Sequence, residues 1–225
     1  MTNLSNLALG IALSCFFSSV ASAAGVVAEL VDGQGQPLAN AVLTLRGAPG
    51  AAPGEGIMDQ RDKQFAPSVL AVRSGTSVKF PNSDNIRHQV YSFSPAKRFE
   101  LRLYQGTPSE PVLFDKPGVV VLGCNIHDWM LGYVYVTDDP WFAVSDEQGR
   151  LKIDGLPPGS YQATLWHPQS PNMLPVAAGE LKVVEPSLHQ RFTLQLSAPV
   201  QAVPAAPAPS SFGDAFKKAT REVQP

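Results

Sequence analysis

Apolar and polar residues alternate along most of this chain in short runs. Between residues 40 and 46, Ala41, Leu43 and Leu45 alternate with polar or small neighbours. Between 88 and 93, His88, Val90 and Ser92 fall on one face and Gln89, Tyr91 and Phe93 on the other. Phe99, Leu101 and Leu103 alternate with Arg98, Glu100 and Arg102. A period of two is the signature of half-buried β-strands. The same reading predicts strands at 26–31, 69–72, 77–80, 112–114, 119–122, 132–136, 141–144, 151–153, 161–166, 181–184 and 191–196. Turn chemistry separates them: Asp32-Gly33-Gln34-Gly35-Gln36-Pro37, Ser74-Gly75, Pro81-Asn82-Ser83-Asp84-Asn85, Asp146-Glu147-Gln148-Gly149 and Pro157-Pro158-Gly159. Many short strands with regular turns predict an all-β chain built as sandwiches or barrels. Residues 47–56, rich in Gly, Ala and Pro, read as a flexible connector. Residues 124–130 read as a loop between adjacent strands.

The two ends depart from this pattern. Residues 7–20 are mostly apolar and are followed by Ala21-Ser22-Ala23, a small-x-small cleavage pattern. We expect a signal peptide over 1–23, cleaved near Ala23, and hence an exported or periplasmic protein. The run is short for a membrane span, and no other long apolar run follows, so no transmembrane segment is expected in the mature chain. Residues 198–225 are expected to be a disordered Pro/Ala-rich tail, with 212–223 able to form at most a short amphipathic helix. The 225 residues, 44% hydrophobic, suffice for two small β units. A net charge of −2 gives no electrostatic basis for binding nucleic acid.

Export changes the meaning of the two cysteines. Cys15 leaves with the signal, so Cys124 stands alone in an oxidising compartment. A thiol without a disulfide partner there is exposed, intermolecularly paired or ligated. It opens the segment Cys124-Asn125-Ile126-His127-Asp128-Trp129-Met130. Thiolate, imidazole and thioether follow one another at intervals of three. Soft sulfur donors hold Cu(I), imidazole suits both copper states, and a His2Cys plane with a weak axial Met is the pattern of blue-copper sites. His2Cys sets also bind zinc, but zinc takes a hard or water-filled fourth position, and a thioether in that place favours copper. One histidine is missing from the segment. The chain has four: His88, His127, His167 and His189. His88 starts a predicted strand in the same unit as the cysteine segment. His167 and His189 lie outside that unit and read as structural or exposed.

Residues 57–137 resemble a cupredoxin of the plastocyanin and amicyanin type, including those linked with methylamine utilisation. The resemblance rests on a histidine after an Asn-rich turn and on a Cys-x2-His-x2-Met segment before the last strand. It implies a Greek-key β-sandwich holding one copper ion, with His88, Cys124 and His127 in the plane and Met130 axial. It also implies one-electron transport between redox proteins, such as a dehydrogenase and a c-type cytochrome, rather than enzyme activity. Gln89 stands where that family usually has Asn, and the cysteine segment lacks the amicyanin prolines. Residues 24–48 and 140–197 resemble the two parts of a carboxypeptidase-regulatory-like, or transthyretin-like, sandwich, split by the cupredoxin unit. The resemblance rests on 32–41, on Ser145-Asp146-Glu147-Gln148-Gly149-Arg150 and on Leu156-Pro157-Pro158-Gly159-Ser160-Tyr161.

No Ser-His-Asp set, carboxylate pair or phosphate loop accompanies the donors, so no hydrolytic machinery is read here. Asp128 and Trp129, between the donors, are the candidate docking residues for a redox partner. A copper storage, delivery or sensing module is the competing expectation. A structural or adhesive β-protein with a vestigial metal segment is a third.

Overall fold

A computed structural model describes residues 24–197 apart from 51, 53, 109, 185 and 186. The expected signal peptide, Cys15, the tail and its possible helix lie outside the described residues. In chain order the strands are β1 (Ala24–Asp32), β2 (Val42–Arg46), β3 (Glu55–Ile57), β4 (Asp59–Arg61), β5 (Gln64–Ala66), β6 (Val69–Arg73), β7 (Thr76–Lys79), β8 (His88–Ser94), β9 (Lys97–Tyr104), β10 (Val112–Phe114), β11 (Gly118–Cys124), β12 (His127–Thr137), β13 (Trp141–Val144), β14 (Arg150–Leu156), β15 (Gly159–Trp166), β16 (Val176–Val183) and β17 (Leu188–Leu194). Among the described residues, all regular structure is β apart from one turn of 3-10 helix, Pro171–Met173.

Two separate cores organise these strands. The first lies between a five-stranded sheet, ordered β6-β12-β11-β8-β9, and a three-stranded sheet, β10-β7-β3. It contains Met58, Phe65, Val78, Phe80, Val90, Phe114, Val120, Leu122, Cys124 and Met130. The second lies between β14-β1-β17 and β13-β2-β15-β16 and is built mainly of Leu, Val and Ala with Tyr161 and Phe192. Strand β1 runs parallel to β17 and antiparallel to β14, while β2 lies between β13 and β15. The strands before residue 47 therefore pair with strands after residue 140. A third, small cluster of Val42, Val69, Tyr135 and Trp166 joins the two cores.

Most predicted strands form, and three local readings need correction. Part of the 47–56 connector is ordered, because Glu55 and Gly56 open β3 and pair in parallel with β7. The short hairpin β4–β5 has no counterpart in the alternation pattern, since Phe65 is the one large apolar residue in its two strands. The 124–130 segment joins adjacent strands as read, but its turn narrows to residues 125 and 126. Cys124 pairs with His127 across a register shift, and β12 begins at His127. Strand β9 also changes phase. An extra residue on β9, between Leu101 and Tyr104, brings Tyr104 opposite His88 and leaves Leu103 exposed.

Candidate metal centre

Unbroken alternation along β8 and the tight β11–β12 hairpin determine where the donors point. His88, Val90 and Ser92 face inward from β8, and His88 is fully buried. Strand β8 pairs with β11, with Tyr91 opposite Gly123, so the buried face of β8 lies beside the end of β11. Cys124 is buried there, and His127, across the hairpin, is half-buried. The three side chains converge although His88 is far from the others in sequence. Their donor atoms all lie within 4.8 Å of one another. Cys124 Sγ is 3.8 Å from His88 Nδ1 and 3.7 Å from His127 Nδ1. The two imidazole rings sit 4.9 Å apart at 56°.

These separations can be tested against a bound metal. Bonds of about 2.1 Å to imidazole nitrogen and 2.3 Å to thiolate sulfur, at a trigonal angle, would hold nitrogen and sulfur about 3.8 Å apart. A tetrahedral angle at the same bond lengths would bring them to about 3.6 Å. The observed 3.8 and 3.7 Å fall within this range, as one ion shared by the three donors requires. Cys124 is also the free cysteine of the described residues. The donors thus fit a copper ion in type and in spacing.

The remaining sequence candidates occupy three different environments. Met130 is 1% exposed and packs in the same core as Cys124. Asp128 is exposed. Trp129 is half-buried, with its ring 5.2 Å from the His127 ring. Ile126, which precedes His127 in the chain, is 49% exposed. His167 and His189 lie in the second sandwich, apart from the donor cluster. Burial lowers the pKa of His127, as do the nearby His88 and Lys63, against a smaller opposing effect of Asp84. The ring is thereby kept neutral near pH 7, the form that can donate a lone pair.

Sequence reading missed the residues around His88. Asp84 Oδ2 accepts a hydrogen bond from His88 Nε2 at 2.7 Å. The turn carrying Asp84 is held by Asn82, whose Oδ1 accepts from the Asp84 N–H at 3.0 Å. Asn82 Nδ2 donates to the carbonyls of Ile86 and Tyr104. Tyr104 donates its hydroxyl to the Phe80 carbonyl and accepts from Gln60 Nε2. Burial is the main reason its pKa is pushed up to about 12. The signal available in the sequence was the run Asn82-Ser83-Asp84, read only as a turn. A cleft of about 820 Å³ lies elsewhere, along the seam between the sandwiches, and is lined by Arg46, Tyr135, Asp139 and Met173 among others.

No family model matches this chain, and no curated protein does. Several solved structures of copper proteins are similar to part of it. A purple cupredoxin from Nitrosopumilus maritimus is 21% identical, over 36% of this chain and 99% of that one, with a TM-score of 0.33. An amicyanin variant in its reduced state is 20% identical over 42% of this chain and 98% of that one, at a TM-score of 0.34. A copper-containing nitrite reductase from Thermus scotoductus is 26% identical over 50% of this chain, at a TM-score of 0.35. This chain spans 28% of the length of that reductase. All three TM-scores fall below 0.5, so the likeness is partial.

Proposed function

We propose that this protein is an exported type 1 copper protein that carries single electrons. In this reading His88, Cys124 and His127 form the ligand plane and Met130 is the axial donor, for one ion per chain. The observation that carries it is the metal-ligand spacing of two Nδ1 atoms about one buried, unbridged sulfur. A copper ion held there supplies a one-electron Cu(II)/Cu(I) couple. The chain's own part is to fix the donors before the metal arrives. His88 and Cys124 are held by core packing, and His127 by a hairpin register. A site fixed in this way needs little rearrangement between oxidation states.

His127 is the more exposed imidazole, and its ring contacts Trp129. In the proposal Trp129 and Asp128 form the docking surface for a redox donor and acceptor. Small interfaces suffice for such brief encounters. The domain reading proposed with it is a cupredoxin unit at 57–137, inserted between 24–48 and 140–197 of a carboxypeptidase-regulatory-like sandwich. The pairing of β1 and β2 with strands after residue 140 supports it.

The test is copper titration of the purified protein with a visible spectrum and voltammetry. One equivalent of Cu(II) should give an intense thiolate-to-copper band and a reversible one-electron wave. Cys124→Ser should abolish the band without unfolding the chain. Copper uptake without the band or the wave would support a storage or delivery module instead. No stoichiometric uptake would overturn both.

A further inference from the structure

The turn joining β4 and β5 is backbone-strained in a specific way. Asp62 has φ 54° and Lys63 has φ 57°, so two consecutive non-glycine residues are left-handed. Two-residue hairpin turns of this hand usually carry Asn or Gly, because a Cβ disfavours positive φ. Strain of this kind persists where the surroundings hold it in place. Here both turn N–H groups point at one carboxylate. The Asp62 N–H donates to Asp84 Oδ1 at 2.7 Å and the Lys63 N–H to Asp84 Oδ2 at 2.9 Å. Asp84 Oδ2 is also 2.7 Å from His88 Nε2. An ionised carboxylate only accepts, so Nε2 carries the proton and Nδ1 is free to face Cys124 Sγ at 3.8 Å.

We propose that the Asp62-Lys63 turn and Asp84 form a positioning clamp for His88. The turn fixes the carboxylate, and the carboxylate fixes the ring in its Nε2–H form with Nδ1 presented to the ligand plane. The clamp's role at a metal rests on reading His88, Cys124 and His127 as a copper site. Asp84 touches no donor except through His88 and is a positioning residue. Both carboxylate oxygens accept from backbone N–H groups, which can only donate, so Asp84 meets His88 as an acceptor. A charged acceptor behind a ligand imidazole makes the ring a stronger donor, and changing such partners typically costs about 10–100-fold in metal affinity. Negative charge there favours Cu(II) over Cu(I). A hairpin that contributes no ligand would in this way help set the reduction potential.

The test uses the full chain, first copper-free and 15N-labelled at histidine. Long-range proton–nitrogen spectra should show His88 as the Nε2–H tautomer, and Asp84→Ala should lose that preference. After copper loading, Asp84→Asn, which keeps an acceptor but removes the charge, should lower the Cu(II):Cu(I) affinity ratio about tenfold, an upward shift of about 59 mV for one electron. An Nδ1–H tautomer in the wild type would overturn the clamp. So would an unchanged potential in Asp84→Asn, or a change in melting temperature with tautomer and potential both unmoved. If the wild type takes up no copper, the function proposed above fails, while the copper-free tautomer still decides the clamp.

Discussion

Protonation of single residues has a readable consequence away from the donor cluster. His167 sits in the second sandwich, where burial lowers its pKa against a smaller opposing contact with the Ala39 backbone. Its Nδ1 accepts the Gln169 N–H at 3.1 Å, a bond lost if that nitrogen is protonated. The unfolded chain, with an ordinary histidine pKa of about 6.5, therefore takes up a proton more readily than the folded one. Stability from this group is complete above about pH 6.5 and falls as the pH drops from there toward the lowered native value. Denaturant midpoints at pH 8 and pH 5 should differ more in the wild type than in His167→Gln, and equal differences would remove His167 from the account. Residue types near the donor cluster were legible in the sequence because Cys124, His127 and Met130 are close along the chain. Asp84 was not, because an aspartate in a turn looks the same whether its carboxylate faces water or an imidazole.

Among the elements, turns carry the sharpest constraints. Gly149 closes the β13–β14 turn with φ 72°, where a Cβ would lie 2.4 Å from the Leu30 carbonyl oxygen. Both atoms of that clash are tied to backbone, and Leu30 N–H already donates to the Gly149 carbonyl at 2.7 Å. Gly149→Ala should cost about 1–3 kcal/mol from positive φ alone, and more from the clash. Chemical denaturation would show it as a lowered midpoint, and a stability equal to wild type would refute the placement of this turn. The Asp-x-x-Gly signal was visible in the sequence, because turn chemistry is local. Strands β3, β4 and β5 were not. Each is only three residues long, and their pairing depends on what they pack against. Phe65 of β5 lies over Gly132 of β12, where a Cβ would come within 2.8 Å of it. A small residue on one strand thus admits a large one from a hairpin far away in sequence.

At the scale of the whole molecule, one tryptophan joins the two sandwiches. Trp166 is fully buried, 5.1 Å from the Tyr135 ring and 5.9 Å from Tyr133, and its Nε1 donates to the Met173 carbonyl. Trp166→Ala should cost about 3–5 kcal/mol and leave a cavity at the seam. Calorimetry should then resolve separate transitions for the two sandwiches, with copper uptake retained. A single transition at a slightly lower temperature would mean that they remain coupled by other contacts.

Alternation along the chain was enough to establish an all-β protein, the division of β8 into two faces and the turns that bound most strands, because a period of two and turn chemistry act over a few residues. It also supplied the donor types of one hairpin. Only the tertiary structure decided that His88 lies 3.8 Å from Cys124, that the 124–130 segment closes as a tight hairpin, and that strands before residue 47 pair with strands after residue 140. It alone revealed that a strained turn on another hairpin holds Asp84 against the back of His88. Such contacts join segments far apart in sequence. Their energy comes from packing and hydrogen bonds made only once the cores have formed, and no local pattern encodes them.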